Sequence, residues 1–162
     1  MTDRSDHAVG RLATPLTLAQ ATAIVDAALA AGRSADLEPL TVAVLDAGGH
    51  LIALKREDGA GILRPQIALG KAWGALGMGV ASRTLGERLA ERAPFQAALH
   101  AASDGRFVAV PGGVLVRGSA GGEIIGAVGV SGDASDKDEY AAITGVRAAG
   151  LEPDPSTAVE NW

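Results

Sequence analysis

The sequence predicts an α+β fold, in which a five-stranded antiparallel sheet is shielded by helices. Three observations carry this. First, short runs rich in Val, Leu and Ile return after glycine-rich turns, so hairpins rather than crossovers join most of the strands. Second, the segments between these runs repeat their apolar residues with helical period. Third, the 162 residues include 22 glycines and only 3% aromatics. A core with so little bulk is filled by close approach of backbones. The length suits one domain with one arm and one tail: a flexible N-terminal arm over residues 1–15, a domain over 16–150 and a C-terminal tail over 151–162.

The elements follow in order. Thr17 and Gln20 have the spacing of a capping box, and Leu18, Ala21, Ile24, Val25, Ala28 and Leu29 continue with helical period until Gly32. Residues 41–45 form a strand, Asp46-Ala47-Gly48-Gly49 a turn, and residues 50–55 the returning strand. A second helix covers 64–78, with Pro65 in its first turn. Its Gly70, Gly74 and Gly77 each lower helix propensity by roughly 1 kcal/mol, which calls for a closely packed neighbour. The expected neighbour is the strand that carries Gly126 and Gly129. Thr84 and Glu87 have the spacing of another cap, and Pro94 opens a short helix to residue 102. Residues 106–110, 114–117 and 123–130 read as three strands. Ser135 and Asp138 cap a final helix to residue 149, and the tail shows no period.

Composition excludes several functions. The net charge is -5, with no cluster of Lys and Arg, so no nucleic-acid face is expected. With no cysteine, there is no disulfide, thiolate metal site or cysteine nucleophile. The start is polar and lacks the apolar core of a signal peptide, and no run reaches membrane-spanning length. The expectation is a cytoplasmic protein that does not engage a membrane.

Several motifs then fall in a definite order. They are residues 41–51 around Asp46-Ala47-Gly48-Gly49, Arg56-Glu57-Asp58-Gly59-Ala60, Gly70-Lys71-Ala72, Pro111-Gly112-Gly113-Val114, Gly126-Ala127-Val128-Gly129-Val130-Ser131-Gly132, and Asp138-Glu139. This ordered set resembles the GlcG/HbpS-like heme-binding family, which includes the C-terminal domain of PduO-type proteins. The resemblance covers residues 16–149 and implies a profilin-like arrangement of the sheet and helices. It also implies a homodimer or higher homo-oligomer, up to an octamer, and heme as a cofactor.

The residues themselves leave alternatives open. Lys71 stands on a helix of small and apolar neighbours, where an ammonium needs a carboxylate, a carbonyl or an anionic ligand. Asp46, Asp58 and Asp138 are the candidate partners. One reading is a structural ion pair; the other is recognition of a carboxylate such as a heme propionate. Arg56 and Asp58 are two apart and point the same way in an extended chain, where Arg56 has the fork to hold a carboxylate. Pro111, Gly112 and Gly113 offer open backbone N–H groups. Tyr140 is a phenolate candidate for heme, and Met78 a soft one. His7, His50 and His100 show no metal-site spacing, so no metal site is expected. The site is expected beside Lys71, bounded by Arg56, Asp58, residues 111–113 and Tyr140. The function expected is binding or sensing of an anionic small molecule, with heme as the family-derived ligand. The alternatives are a small enzyme using Lys71 and Asp58 in acid–base chemistry, and a scaffold subunit.

Overall fold

The computed structural model describes residues 9–119 and 121–159. His7 and Trp162 lie outside the described residues. The chain runs through α1 (Leu18–Ser34), β1 (Thr41–Asp46), β2 (Leu51–Arg56), α2 (Arg64–Met78), α3 (Ser82–Leu89), α4 (Ala93–Ala102), β3 (Gly113–Arg117), β4 (Ile124–Ser131), α5 (Ser135–Ala148) and β5 (Glu152–Asp154). The five strands form one sheet in the order β2-β1-β4-β3-β5, and every pairing is antiparallel.

Alternation along the strands divides the core into two faces. Val42 and Val44 on β1, Val114 and Val116 on β3, and Val128 and Val130 on β4 pack with Ile24, Val25, Ala142 and Val146 of α1 and α5. Leu45, Leu115 and Ala127 point the other way, onto Ala72 and Ala75 of α2. The sheet is therefore covered on both sides, which explains why β4 reads as a nearly continuous apolar run. The capping box at Thr17 is present: the Gln20 N–H donates to Thr17 Oγ1, and the Thr17 N–H donates to Gln20 Oε1 at 3.0 Å.

Two glycine expectations resolve differently from their first reading. Gly129 does meet α2, but at the carbonyl of Ala68 and the methyl of Ala72; any side chain there would collide with the Ala68 backbone. The glycines of α2 face elsewhere. Gly70 lies against Arg106 and Val108, and Gly74 against Phe107.

That packing corrects the reading of residues 106–110 as a strand. The segment crosses α2 as an irregular chain, with the Val108 N–H donating to the Gly70 carbonyl at 3.4 Å. Two of its apolar residues, Phe107 and Ala109, are buried with Leu85 and Leu89. The fifth strand comes from the tail instead. In β5, Pro153 is paired with Val116 at the sheet edge, where the missing N–H costs no ladder bond.

Two expected caps are also absent. Helix α3 starts at Ser82, before Thr84, and α5 has no side-chain cap from Ser135. Asp133 accepts the Ala134 N–H at that end. Among the described residues, no helix is long and apolar enough to cross a membrane.

Candidate functional site

Lys71 is 2% exposed and Asp138 is 1% exposed, and the two are joined. Lys71 Nζ donates to Asp138 Oδ2 at 2.8 Å and to the Val130 carbonyl at 3.0 Å. Asp138 Oδ1 accepts the Asp133 N–H at 3.0 Å. One side chain thus ties α2 to the end of β4 and to the first turn of α5. Burial lowers the Lys71 pKa and raises that of Asp138, and each partner opposes the shift of the other. Of the three carboxylates considered from the sequence, Asp138 is the one that Lys71 reaches. Arg64 lies nearby, with Nη1 donating to Ser131 Oγ at 3.2 Å.

The turn at residues 111–113 packs on this pair. Gly112 has φ +116°, and a Cβ there would stand 2.9 Å from Lys71 Nζ. The Gly113 N–H is taken by Ser82 Oγ at 2.7 Å, and the Gly112 carbonyl accepts the Val130 N–H. The turn therefore closes over the lysine, and one of its two glycine N–H groups is already bonded.

Arg56 and Asp58 lie at the far edge strand. They line a second groove, with Arg33, Pro39, Lys55 and Glu57. Arg33 pairs with Glu57 there at 2.9 Å. Tyr140 is half-buried on α5, where its carbonyl accepts the Thr144 hydroxyl. The structure thus brings Lys71 together with residues 112 and 113, and places Arg56 and Asp58 in a different groove.

In the sequence Glu139 is half of the Asp138-Glu139 motif, which does not reveal its burial. Its side chain is 0% exposed, and its oxygens carry no hydrogen bond of good geometry among the described residues. Arg83 Nη1 lies 3.2 Å from Oε2. Burial raises the carboxyl from 4.5 to about 7; Arg83 and the approaching Val159 backbone N–H oppose the shift, and Asp136 and Glu87 add to it.

A cleft of about 430 Å³ opens between α2 and the β1–β2 turn. That size falls within the range of roughly 300–1,000 Å³ usual for small-molecule sites. Gln66, Leu69, Gly70 and Trp73 recur at helical spacing and present one face of α2 to it. Leu45 and Leu51 line it from the hairpin, and Asp104 and Arg106 from the chain after α4. Leu51 is 54% exposed, so an apolar wall stands open to solvent. The Arg106 guanidinium lies over the Trp73 ring, 4.3 Å from its centroid. Its Nε donates to the Ser103 carbonyl at 3.1 Å. The four-residue spacing on α2 was legible in the sequence. The approach of Arg106, 33 residues away, was not.

His50, His100 and Met78 lie off this lining. His50 Nδ1 faces Asp46 Oδ1 at 3.2 Å, and Asp46 is held below its usual pKa chiefly by the His50 backbone N–H. His100 Nδ1 lies 3.3 Å from the Phe107 carbonyl. Met78 lines a small hollow with Gly77, Leu99 and Phe107, of which Trp73 forms another wall. Among the described residues, no cluster of three His, Cys, Asp or Glu is placed to hold a metal.

Comparison with solved structures finds close matches in fold. A PduOC–heme complex is 25% identical with a TM-score of 0.75, over 84% of this chain and 96% of that one. HbpS is 28% identical with a TM-score of 0.70, over 86% and 96%. A double mutant of HbpS from Streptomyces reticuli is 30% identical with a TM-score of 0.70, over 86% and 92%. No match was found among curated protein sequences. The family model described as "Haem degrading protein HbpS-like" matches residues 16–147, and the chain belongs to that family.

Proposed function

We propose that this protein binds a planar, largely apolar, carboxylate-bearing small molecule of the heme kind in the cleft beside Trp73. The observation that carries the reading is the Arg106 guanidinium set over Trp73 at the mouth of an apolar cleft. Leu45, Leu51, Leu69 and Trp73 remove ring surface from water, and Arg106 offers paired N–H donors to a carboxylate. The PduOC–heme complex, a relative of similar fold, makes heme the first ligand to test.

The fit to heme is divided. The cleft suits the ring and a propionate. Among the described residues it has no axial donor in its lining, where none carries an imidazole, thiolate, thioether or phenolate. Lys71 belongs to the brace between α2, β4 and α5: two of its three N–H donors are taken, and the ammonium is buried. The Arg56–Asp58 groove is the second place to examine, since Arg56 also carries the fork for a carboxylate.

The test is a hemin titration of the full chain, read by absorbance, with Leu69→Trp to fill the cleft and Arg56→Gln to alter the other groove. Loss of binding in the first variant and retention in the second is expected. The reverse pattern moves the site to the Arg56 groove.

Assembly is part of the same proposal. Helix α4 buries none of its residues, although it is rich in alanine and carries Phe95 and Leu99. A short helix that packs little beyond Leu99 against the Phe107 cluster gains little in water, which supports a homodimer or larger homo-oligomer that covers it.

A further inference from the structure

We infer that the cleft recognises the organic ring and one carboxylated edge, independently of any metal at the ring's centre. The inference rests on the cleft being the ligand site, and it narrows the ligand class. Three observations carry it.

The first is the donor set. No described residue that lines the cleft carries an imidazole, thioether or phenolate. His50 follows Gly49 but faces Asp46, His100 faces the Phe107 carbonyl, and Met78 lies in the hollow that has Trp73 as a wall. Affinity must come from ring burial and charge.

The second is the preorganisation of Arg106. Ser103, which is buried, fixes the local chain: its hydroxyl donates to the His100 carbonyl and accepts the Phe107 N–H at 3.1 Å. The Ser103 carbonyl then takes Arg106 Nε, and Trp73 takes the guanidinium face. The terminal nitrogens of Arg106 carry no hydrogen bond among the described residues. A guanidinium held in place before binding loses little freedom when a carboxylate arrives.

The third is Asp104, which lines the same cleft. A negative charge there opposes a second anionic edge. The favoured ligands are therefore planar, apolar rings with carboxylates on one edge, with or without a metal. Rings carboxylated all round are disfavoured.

The experiment titrates the full chain in a Trp162→Phe background, so that Trp73 is the sole indole, and reads its quenching together with ligand absorbance. The probes are hemin, metal-free protoporphyrin IX, its dimethyl ester and uroporphyrin. Hemin and protoporphyrin should bind within about threefold of each other, and the ester and uroporphyrin at least roughly tenfold more weakly. Arg106→Gln should weaken protoporphyrin by about tenfold and leave the ester unchanged, with Arg106→Lys between. Hemin bound more than about thirtyfold tighter than protoporphyrin, with a six-coordinate low-spin spectrum, would overturn the inference and leave the cleft as the site. Equal binding of acid and ester would also overturn it. If none of the four probes quenches Trp73, the cleft reading falls, and the inference with it.

Discussion

Replacing Glu139 by glutamine isolates a pH-dependent cost built into the fold. Glu139 is fully buried, and desolvation raises its carboxyl from 4.5 to about 7 against the pull of Arg83. A carboxyl whose pKa is higher when folded than when unfolded binds a proton on folding between those values. Stability therefore falls as pH rises through that window and levels off above it. At about 1.36 kcal/mol per unit of pKa, the full difference is about 3 kcal/mol. Glutamine keeps the shape of the protonated acid and cannot ionise. Near about pH 5 the variant should be within about 1 kcal/mol of the parent protein; near about pH 8 it should be more stable by about 3 kcal/mol. Urea unfolding at matched ionic strength from about pH 5 to 8 reads this directly, because the other carboxylates cancel in the difference between the two proteins. A constant difference across that range would refute the reasoning, as would a variant less stable at the alkaline end. Either result would mean that Arg83 holds the carboxylate more firmly than burial repels it.

Other expectations follow from the same geometry. Lys71→Met should destabilise the protein by about 3–5 kcal/mol in denaturant unfolding, because Asp138 is left buried and uncompensated; adding Asp138→Leu should recover part of that loss. Gly129→Ala should cost about 1–3 kcal/mol or prevent folding, since the new methyl meets the Ala68 carbonyl, whereas alanine at the open Gly118 should be nearly neutral in the same assay. Light scattering at micromolar concentration should give a multiple of the 16.2 kDa chain mass, and Phe95→Glu on α4 should shift it toward the monomer.

The fold was legible where local chemistry decides it. The Thr17–Gln20 box, the hairpin turn at Asp46–Gly49 and the proline at the start of α2 each specify structure within a few residues. The fold was not legible where distant packing decides it. Residues 106–110 read as a strand because four apolar residues follow Arg106, yet Phe107, Val108 and Ala109 answer to α2 and α3. Glu152-Pro153-Asp154 looks like a loop, yet an edge position tolerates its proline. The same division holds at the candidate site. Lys71 was recognisable as a buried cation from its small neighbours, and Asp138 was among its possible partners. Arg106 and Trp73 lie 33 positions apart, so no spacing rule joins them. Glu139 stands beside Asp138 in the charged stretch 136–139, whose composition does not mark which side chain is buried. Its burial comes from α3 and the tail folding over it, which one strand of sequence does not reveal.

The central claim is that a planar carboxylate-bearing ligand sits between α2 and the β1–β2 turn. A crystal structure of the full chain with protoporphyrin IX or hemin tests this most directly. The account predicts ring density against Leu45, Leu69 and Trp73, with a carboxylate within hydrogen-bond distance of the Arg106 guanidinium. A ring seated instead in the groove of Arg56 and Asp58, or held at Lys71 after its separation from Asp138, would contradict it.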